Sequence, residues 1–252
     1  MNYVKPDENM LLAIDIGNTN ISLAIFDKSG KIVRRFHVPA NGKTLRPVMK
    51  KISGHRGIGR IIVASVAPRA FGALKVILKS SFTGIRPFVV GHNLKVPIEC
   101  LYNKRQIGQD RLVTAYAAKL IYGLPALIID FGTAVTFDAV SKRGAYLGGL
   151  ILPGIKMSLE SLREGTAMLP KVDLGVTSTF IGRNTESSIQ NGMIYGYSAI
   201  CKGLIDIFKR KVSRDIKVVC TGGDAPLIAR YTPSIKRVDI DLSLKGLYLL
   251  SK

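Results

Sequence analysis

The pattern of apolar and polar positions predicts a series of strands in the first part of the chain. Apolar or alternating runs occur at 11–16, 21–26, 32–38, 60–65 and 86–90. Each has roughly the four to eight residues of a typical strand and is bounded by glycine, proline or polar residues. The first two runs are separated by only a few polar residues, so we expect them to form a hairpin.

Other segments space their apolar residues as a helix does. Residues 70–81, "AFGALKVILKSS", have this spacing, and 111–122 form an amphipathic pattern that stops at Gly123 and Pro125. Further strands are predicted in "ALIIDFGTAVTFDAV", "YLGGLILPG" and "IKVVC", and further helices at about 154–164, at about 185–210 and, as the last helix, at about 225–230. Strands and helices that alternate in this way are typical of an α/β protein.

An internal repeat indicates how these elements are organised. "LLAIDIGNTNISLAIFD" at 11–27 and "ALIIDFGTAVTFDAV" at 126–140 both read strand, acidic residue, glycine, polar turn, strand. Three pairs of positions match: Asp15 with Asp130, Gly17 with Gly132, and Asn18 with Thr133. We therefore expect two similar domains, 1–124 and 125–252, with a cleft between them that suits a small ligand.

The polar turn of the first hairpin has the composition of a phosphate-binding loop. Glycine lets backbone approach a ligand closely, and successive N–H groups bind anions. Residues 15–22 could therefore hold phosphates, while Asp15 faces the accompanying cation. The alternative is a type I′ hairpin turn, since Asn and Gly are ordinary turn residues. The repeated aspartate favours binding, because a turn does not require it.

A second glycine-rich junction follows a later strand, in "VVCTGGDAPLIA" at 218–229. A strand that ends in Thr-Gly-Gly before a helix can present backbone N–H groups to a phosphate or a ribose. The same residues also suit a tight connection in which Asp224 caps the helix. The pattern alone leaves both interpretations open.

"GQDR" at 108–111 precedes the helix predicted at 111–122. Asp110 could cap this helix, and on pattern alone that is the better interpretation. Its carboxylate could also accept a proton from a substrate hydroxyl group. Arg111 could bind an anionic group of the substrate or stay solvated in the first helical turn.

Composition limits the possible partners. The net charge is +20 (37 basic minus 17 acidic residues), which would attract nucleic acid, an anionic membrane or an anionic metabolite. The basic residues are scattered, so a basic surface without a nucleic-acid partner is the simpler interpretation. Three separated cysteines and three histidines argue against a disulfide framework or a zinc site. Without a secretory signal or an apolar span, we expect a cytoplasmic protein with no membrane partner.

Taken in order, these motifs resemble those of the type III pantothenate kinases. The matching series is "DIGNTN … GQDR … DFGTAVTFD … GGLILPG … GRNTESSIQNGMIYGY … TGGDA", and it extends to "DIDLSLKGL" near the C-terminus. The family belongs to the superfamily of acetate and sugar kinases, actin and heat-shock chaperone ATPases. The resemblance implies two ribonuclease H-like (actin-like ATPase) domains with mixed sheets and flanking helices.

The resemblance also implies a reaction, namely ATP-dependent phosphorylation of the 4′-hydroxyl of pantothenate, the first step of coenzyme A biosynthesis. Its cofactors would be ATP with Mg²⁺ and a monovalent cation, K⁺ or NH₄⁺, and a homodimer would complete the substrate site. The implied ATP contacts are Asp15, Ile16, Gly17, Asn18, Thr19, Asn20, Ile21, Ser22 and Thr133. Asp130 would bind the monovalent cation, and Asp110 would accept the proton. The implied pantothenate contacts are Tyr102, Gly108, Gln109, Asp110, Arg111 and Thr185.

The chain departs from the family pattern at Gln109, where a small residue is usual, and is one residue shorter than usual between Tyr102 and Gly108. Two other functions remain possible on sequence alone. One is a kinase of the same superfamily for another small hydroxyl compound. The other is a non-catalytic accessory transcription regulator, which the positive charge would suit. The acids Asp15, Asp110 and Asp130 favour catalysis, because a binding module would not need all three.

Overall fold

The computed structural model describes residues 10–55, 57–103 and 106–252. The charged N-terminal segment 1–9 lies outside the described residues. The chain forms two compact units. Unit 1 comprises the described residues of 1–97, 105–117 and 242–252, and unit 2 comprises those of 98–104 and 118–241.

The described residues form strands and helices in an alternating order. The strands are β1 (Met10–Ile16), β2 (Asn20–Phe26), β3 (Ile32–Pro39), β4 (Ile58–Ser65), β5 (Phe88–Val89), β6 (Ala126–Phe131), β7 (Ala134–Val140), β8 (Tyr146–Pro153) and β9 (Lys217–Thr221). The helices are α1 (Gly42–Ser53), α2 (Pro68–Ser81), α3 (Gln109–Tyr122), α4 (Ile155–Glu164), α5 (Thr185–Lys211), α6 (Ala225–Tyr231) and α7 (Leu242–Leu249). The predicted α/β class is confirmed.

Two helices differ from the prediction. Helix α1 was missed, although Leu45, Met49 and Ile52 are buried on one face at helical spacing. Its other positions include four basic residues, and it contains Pro47 in its second turn, where a proline removes one backbone hydrogen bond of the helix. Helix α7 was also missed, so the prediction that 225–230 is the last helix is wrong. Its sequence, "LSLKGLYL", is apolar on several sides and lacks a clear amphipathic period.

Unit 1 is built on a sheet with the strand order β3-β2-β1-β4-β5. One face carries Ile14, Ile16 and Leu23, which pack with apolar residues of α1 and α2 in a buried core. The other face packs against α3 and α7. Here α7 comes very close to α3, because a Cβ on Gly246 would lie 2.6 Å from the carbonyl oxygen of Val113.

Unit 2 repeats the arrangement with the strand order β8-β7-β6-β9. In both units the first strand of the hairpin pairs antiparallel with the second and parallel with a later strand. The two hairpins differ by one residue in the turn, because the last pair is Ile16–Ile21 in the first and Phe131–Val135 in the second. The sequence repeat therefore corresponds to a repeat of topology.

Candidate active site

The first hairpin closes on a short polar turn. The Gly17 N–H donates to the Asn20 carbonyl oxygen at 2.9 Å, and the Ala40 N–H donates to the Thr19 carbonyl oxygen at 2.8 Å. Among the described residues, positive φ angles occur only at glycines, and Gly17 is not one of them. A type I′ turn needs two residues with positive φ, so that alternative is wrong.

Side chains of this hairpin alternate between the two faces of the sheet. Ile16 and Ile21 are fully buried in the core, so only their backbone groups are available to a ligand. Asp15 pairs with Ser22, which pairs in turn with His37 on β3. The Ser22 hydroxyl lies 3.1 Å from His37 Nδ1. The turn residues Asn18, Thr19 and Asn20 are exposed.

Asp15 lies in an environment that disfavours its charged form. The pKa of Asp15 is raised from 3.8 to about 6, chiefly by loss of solvation on burial and then by the negative charge of Asp110, while a hydrogen bond from Ser243 acts in the opposite direction. The site therefore brings together Asp15 at the end of β1, Asp110 on α3 and Ser243 on α7. Two carboxylates that repel each other form an oxygen-rich donor set, which hard cations such as Mg²⁺ prefer.

Asp110 lies in the first turn of α3 and not before it. The helix begins at Gln109, so the interpretation of Asp110 as the residue that caps this helix is wrong. Its Oδ1 accepts a hydrogen bond from the Arg111 N–H at 2.8 Å. Gly108 leaves room for this carboxylate, because a Cβ at Gly108 would overlap Asp110 Oδ1. A first-turn position also benefits from the positive end of the helix dipole, which stabilises a carboxylate.

The other predicted pantothenate contacts lie on different elements. Gln109 packs against Gly91, which has a φ of +83° and where a Cβ would lie 2.8 Å from Gln109 Cγ. Tyr102 belongs to unit 2, where its ring meets the edge of Tyr146 at 6.4 Å between ring centres. Thr185 is exposed as the first residue of α5, a helix capped by Asn184.

Asp130 is the last residue but one of β6 in unit 2 and lies against the glycine-rich junction that follows β9. It pairs with Thr221 in the parallel register. The next residue, Gly222, has a φ of +91°, and a Cβ there would lie 2.5 Å from both Asp130 Oδ1 and the Phe131 carbonyl oxygen. Thr133 occupies the turn between β6 and β7. Asp224 stands at the N-cap of α6 but makes no capping hydrogen bond with its side chain.

We expect Gly222→Ala to destabilise the protein by at least about 2 kcal/mol, because it combines a left-handed backbone with a contact that displaces Asp130 or Phe131. Gly223→Ala is the matched control, since a Cβ there meets nothing within 4 Å. Urea unfolding of both variants tests the difference. Equal stabilities of the two variants would contradict the packing described here.

Sequence reasoning missed two polar residues near the predicted site, Ser243 and Asp138. Ser243 lies in α7, which was itself not predicted. Asp138 is 1% exposed, and its carboxylate accepts hydrogen bonds from Tyr146 at 2.5 Å and from Thr136 at 2.9 Å. An acidic residue inside the apolar run of β7 was the available signal for Asp138. Within the described ranges, no group of three His, Cys, Asp or Glu residues forms a preassembled metal site.

The family is shown by comparison with known proteins. A model of the type III pantothenate kinase family matches residues 11–207. The type III pantothenate kinase of Bacillus cytotoxicus is 36% identical over 251 residues, which cover 96% of this chain and 95% of that protein. The resemblance in sequence motifs is therefore confirmed over nearly the whole chain.

Two solved structures share the fold at much lower identity. The inorganic polyphosphate/ATP-glucomannokinase of Arthrobacter sp. strain KM has a TM-score of 0.53 and 14% identity, over 96% of this chain and 98% of that one. A Campylobacter jejuni protein described as a Baf family transcriptional activator has a TM-score of 0.54 and 21% identity, over 95% of this chain and 96% of that one. At such identities the likeness concerns the fold alone, and it confirms the fold of the sugar kinases and actin-like ATPases.

The two repeated hairpins and "GQDR" are motifs that resemble this family, and the matching family model and the fold agree with that resemblance. The chain therefore belongs to the type III pantothenate kinase family, the transferases that phosphorylate pantothenate with ATP at the first step of coenzyme A biosynthesis.

Proposed function

We propose that this chain phosphorylates the 4′-hydroxyl of pantothenate with Asp110 as the proton acceptor. The observation that carries this assignment is the approach of Asp110 to Asp15, two acids that lie far apart in the sequence and interact electrostatically within unit 1. A phosphate-loop acid beside an acid at a helix start is the arrangement expected where a hydroxyl attacks a phosphoryl group. Asp110 would orient that hydroxyl and take its proton.

ATP would be held by the two repeated hairpins, through residues 15–22 in unit 1 and Thr133 in unit 2. In the first hairpin, the buried side chains of Ile16 and Ile21 fix the backbone, so its N–H groups are preorganised for phosphate oxygens. The carboxylate oxygens of Asp15 suit Mg²⁺, which when bound neutralises charge on the phosphates. Asp15 would face this cation or its waters.

Asp130 would bind a monovalent cation, K⁺ or NH₄⁺. Support comes from its position beside backbone oxygen, because the Phe131 carbonyl and Asp130 Oδ1 both border Gly222. Carboxylate and carbonyl oxygens are the ligands that hard cations take. Bound there, the cation would supply positive charge near the nucleotide.

Pantothenate would contact Tyr102, residues 108–111 and Thr185. Arg111 could pair with the carboxylate of pantothenate, since guanidinium groups bind carboxylates with good geometry. Gln109 makes the site different from the usual family pattern. The side chain of Gln109, which is larger than the residue usual in the family, packs against the backbone at Gly91.

A homodimer would complete the substrate site. Support comes from apolar side chains exposed on unit 2, where β8 is an edge strand and Ile151 is 59% exposed. Phe180 and Ile181 add further apolar surface, at 69% and 73% exposure. Exposed apolar edges are commonly covered by a partner.

We expect Ile151→Lys to convert the dimer to monomer and to lower turnover with pantothenate by at least about tenfold, because a desolvated lysine costs more than 1.4 kcal/mol in an apolar interface. Light scattering after gel filtration gives the mass. Val76→Lys is the control, an exposed apolar residue (64%) on α2 of unit 1. An unchanged dimer in the Ile151 variant would exclude β8 from the interface.

We place the protein in the cytoplasm, without a membrane or nucleic-acid partner, and keep 1–124 and 125–252 as its proposed domains. No helix in the described part of the chain is long and apolar enough to cross a membrane. The compact units differ from this boundary, because residues 242–252 belong to unit 1 and the described residues of 98–104 and 118–124 belong to unit 2. The basic charge of +20 remains compatible with anionic substrates such as ATP.

The proposed function is tested by coupled ADP release from ATP and Mg²⁺, with pantothenate as substrate, with and without K⁺. We expect release that depends on pantothenate and increases with K⁺. A panel of sugars and other small alcohols tests the alternative kinase. Salt-dependent binding to generic DNA, without pantothenate-dependent ADP release, would instead favour a regulatory role.

A further inference from the structure

We propose that Asp138, Tyr146 and Thr136 form a positioning cluster that holds the segment 98–103, and with it Tyr102, in place for pantothenate. We call these three residues the Asp138 cluster. The inference rests on the proposed function, in which Tyr102 contacts the substrate. It assigns these three residues an indirect role, because they would act through Tyr102 and not on the substrate itself.

The Asp138 cluster lies on one face of the unit 2 sheet. Thr136 and Asp138 are two residues apart on β7 and therefore point to the same side. Asp138 is 1% exposed and Tyr146 is fully buried. The Tyr146 hydroxyl donates to Asp138 Oδ1 at 2.5 Å, and the Thr136 hydroxyl donates to Oδ2 at 2.9 Å. Each carboxylate oxygen thus has a donor.

Tyr146 attaches the segment 98–103 to the sheet through its backbone. Its N–H donates to the Glu99 carbonyl oxygen at 2.7 Å, and its carbonyl oxygen accepts from the Leu101 N–H at 3.0 Å. The two bonds bracket Cys100, which forms a parallel bridge with Tyr146. Movement of Tyr146 would therefore carry the segment with it.

Tyr146 also supports Tyr102 through its side chain. The two rings meet edge to face, with centres 6.4 Å apart and planes at 78°, a favourable aromatic geometry. Gly148 backs Tyr102 from the same strand, since a Cβ at Gly148 would lie 3.2 Å from Tyr102 Cδ2. Asp138 fixes the Tyr146 hydroxyl, Tyr146 fixes the ring of Tyr102, and Tyr102 is thereby oriented.

The free-energy cost of burying the Asp138 carboxylate indicates that the Asp138 cluster does more than stabilise the fold. A buried carboxylate loses its hydration, and apolar residues of similar volume often stabilise a core as well or better. The cluster also extends towards the cation-binding candidate, because Thr136 stands directly opposite Asp130 on the neighbouring strand. A polar cluster between two predicted site residues is expected where their positions must be set accurately.

The test is Tyr146→Phe, which removes the hydroxyl and keeps the ring. We expect the KM for pantothenate to rise roughly tenfold, the effect of one lost hydrogen bond to a charged group, with kcat and the KM for ATP within about twofold. Tyr122→Phe is the matched control, because it removes a tyrosine hydroxyl that donates to Asp239 at 2.8 Å in the same unit. The control should lose stability without a change in the KM for pantothenate.

Asp138 variants provide a second comparison. Asp138→Asn keeps an oxygen acceptor for Tyr146 and should stay within about threefold of the wild-type KM, whereas Asp138→Ala should match Tyr146→Phe. If Asp138→Ala does not fold, Tyr146→Phe and Asp138→Asn decide the question. An equal rise in KM for Tyr146→Phe and Tyr122→Phe would overturn the inference, as would no rise in either.

Hydrogen exchange of the peptide spanning 98–103 gives a readout independent of turnover. Faster exchange in Tyr146→Phe, but not in Tyr122→Phe, is expected, and unchanged exchange would contradict the positioning role. Failure of the proposed function is distinguishable, because it would appear as a wild-type protein without pantothenate-dependent turnover. Turnover by the wild type with an unchanged KM in Tyr146→Phe would reject this inference alone.

Discussion

Asp110→Asn is expected to lower kcat with pantothenate by about 10²–10⁴, the usual contribution of a general base. Asparagine keeps the shape of the side chain and an oxygen that can accept from the Arg111 N–H, so α3 should remain intact. It cannot take a proton from the attacking hydroxyl. Steady-state kinetics give kcat, and titration with nucleotide gives ATP binding, which we expect to be retained.

The control for this prediction is Asp206→Asn. Asp206 lies in α5 and is not one of the predicted site residues. The kcat of this variant should equal that of the wild type. A normal kcat in Asp110→Asn would refute the assignment of the proton acceptor. A lower kcat accompanied by loss of ATP binding or of helical circular dichroism would indicate a structural role for Asp110 instead.

The central strands of unit 1 were predictable because β1, β2 and β4 each bury a run of apolar side chains. β1 and β2 are almost entirely apolar and sit at the centre of their sheet, so their boundaries followed from the sequence within one residue. Helices α1 and α7 were not predicted. α7 is apolar on several sides and lacks the amphipathic contrast on which prediction depends. α1 has that contrast, but it contains Pro47, and a proline inside a run argues against a helix.

The site was predictable to the extent that its residues lie in local motifs. The hairpin turn, "GQDR" and the repeated aspartates can each be recognised from a few consecutive residues. Ser243 reaches Asp15 from the C-terminal end of the chain, and such a contact depends on how α7 packs. Asp138 and Tyr146 meet across neighbouring strands, so their pairing follows from strand register and not from a motif. Turn type also had to come from the structure, because Asn and Gly suit several turns.

Asp15→Asn is expected to stabilise the ligand-free protein while it lowers turnover by at least about 10², because a neutral amide cannot face the cation that accompanies ATP. The pKa of Asp15 is about 6 in the folded protein against 3.8 ordinarily. The folded state therefore binds more protons between these values, so stability falls as pH rises through this window and the full cost applies above pH 6. Asparagine removes that cost, which is at most about 3 kcal/mol.

The measurement is the difference in melting temperature between Asp15→Asn and the wild type, without nucleotide, from pH 5 to pH 8. The difference should grow as pH rises and level off above pH 6. Asp27→Asn should show the opposite sign, because hydrogen bonds led by that from Ser29 lower the pKa of Asp27, so its charged form stabilises the fold. If Asp15→Asn were less stable than the wild type at pH 8, the carboxylate would contribute to folding. Asp15 would then not be a group held in an unfavourable environment for the sake of ATP binding.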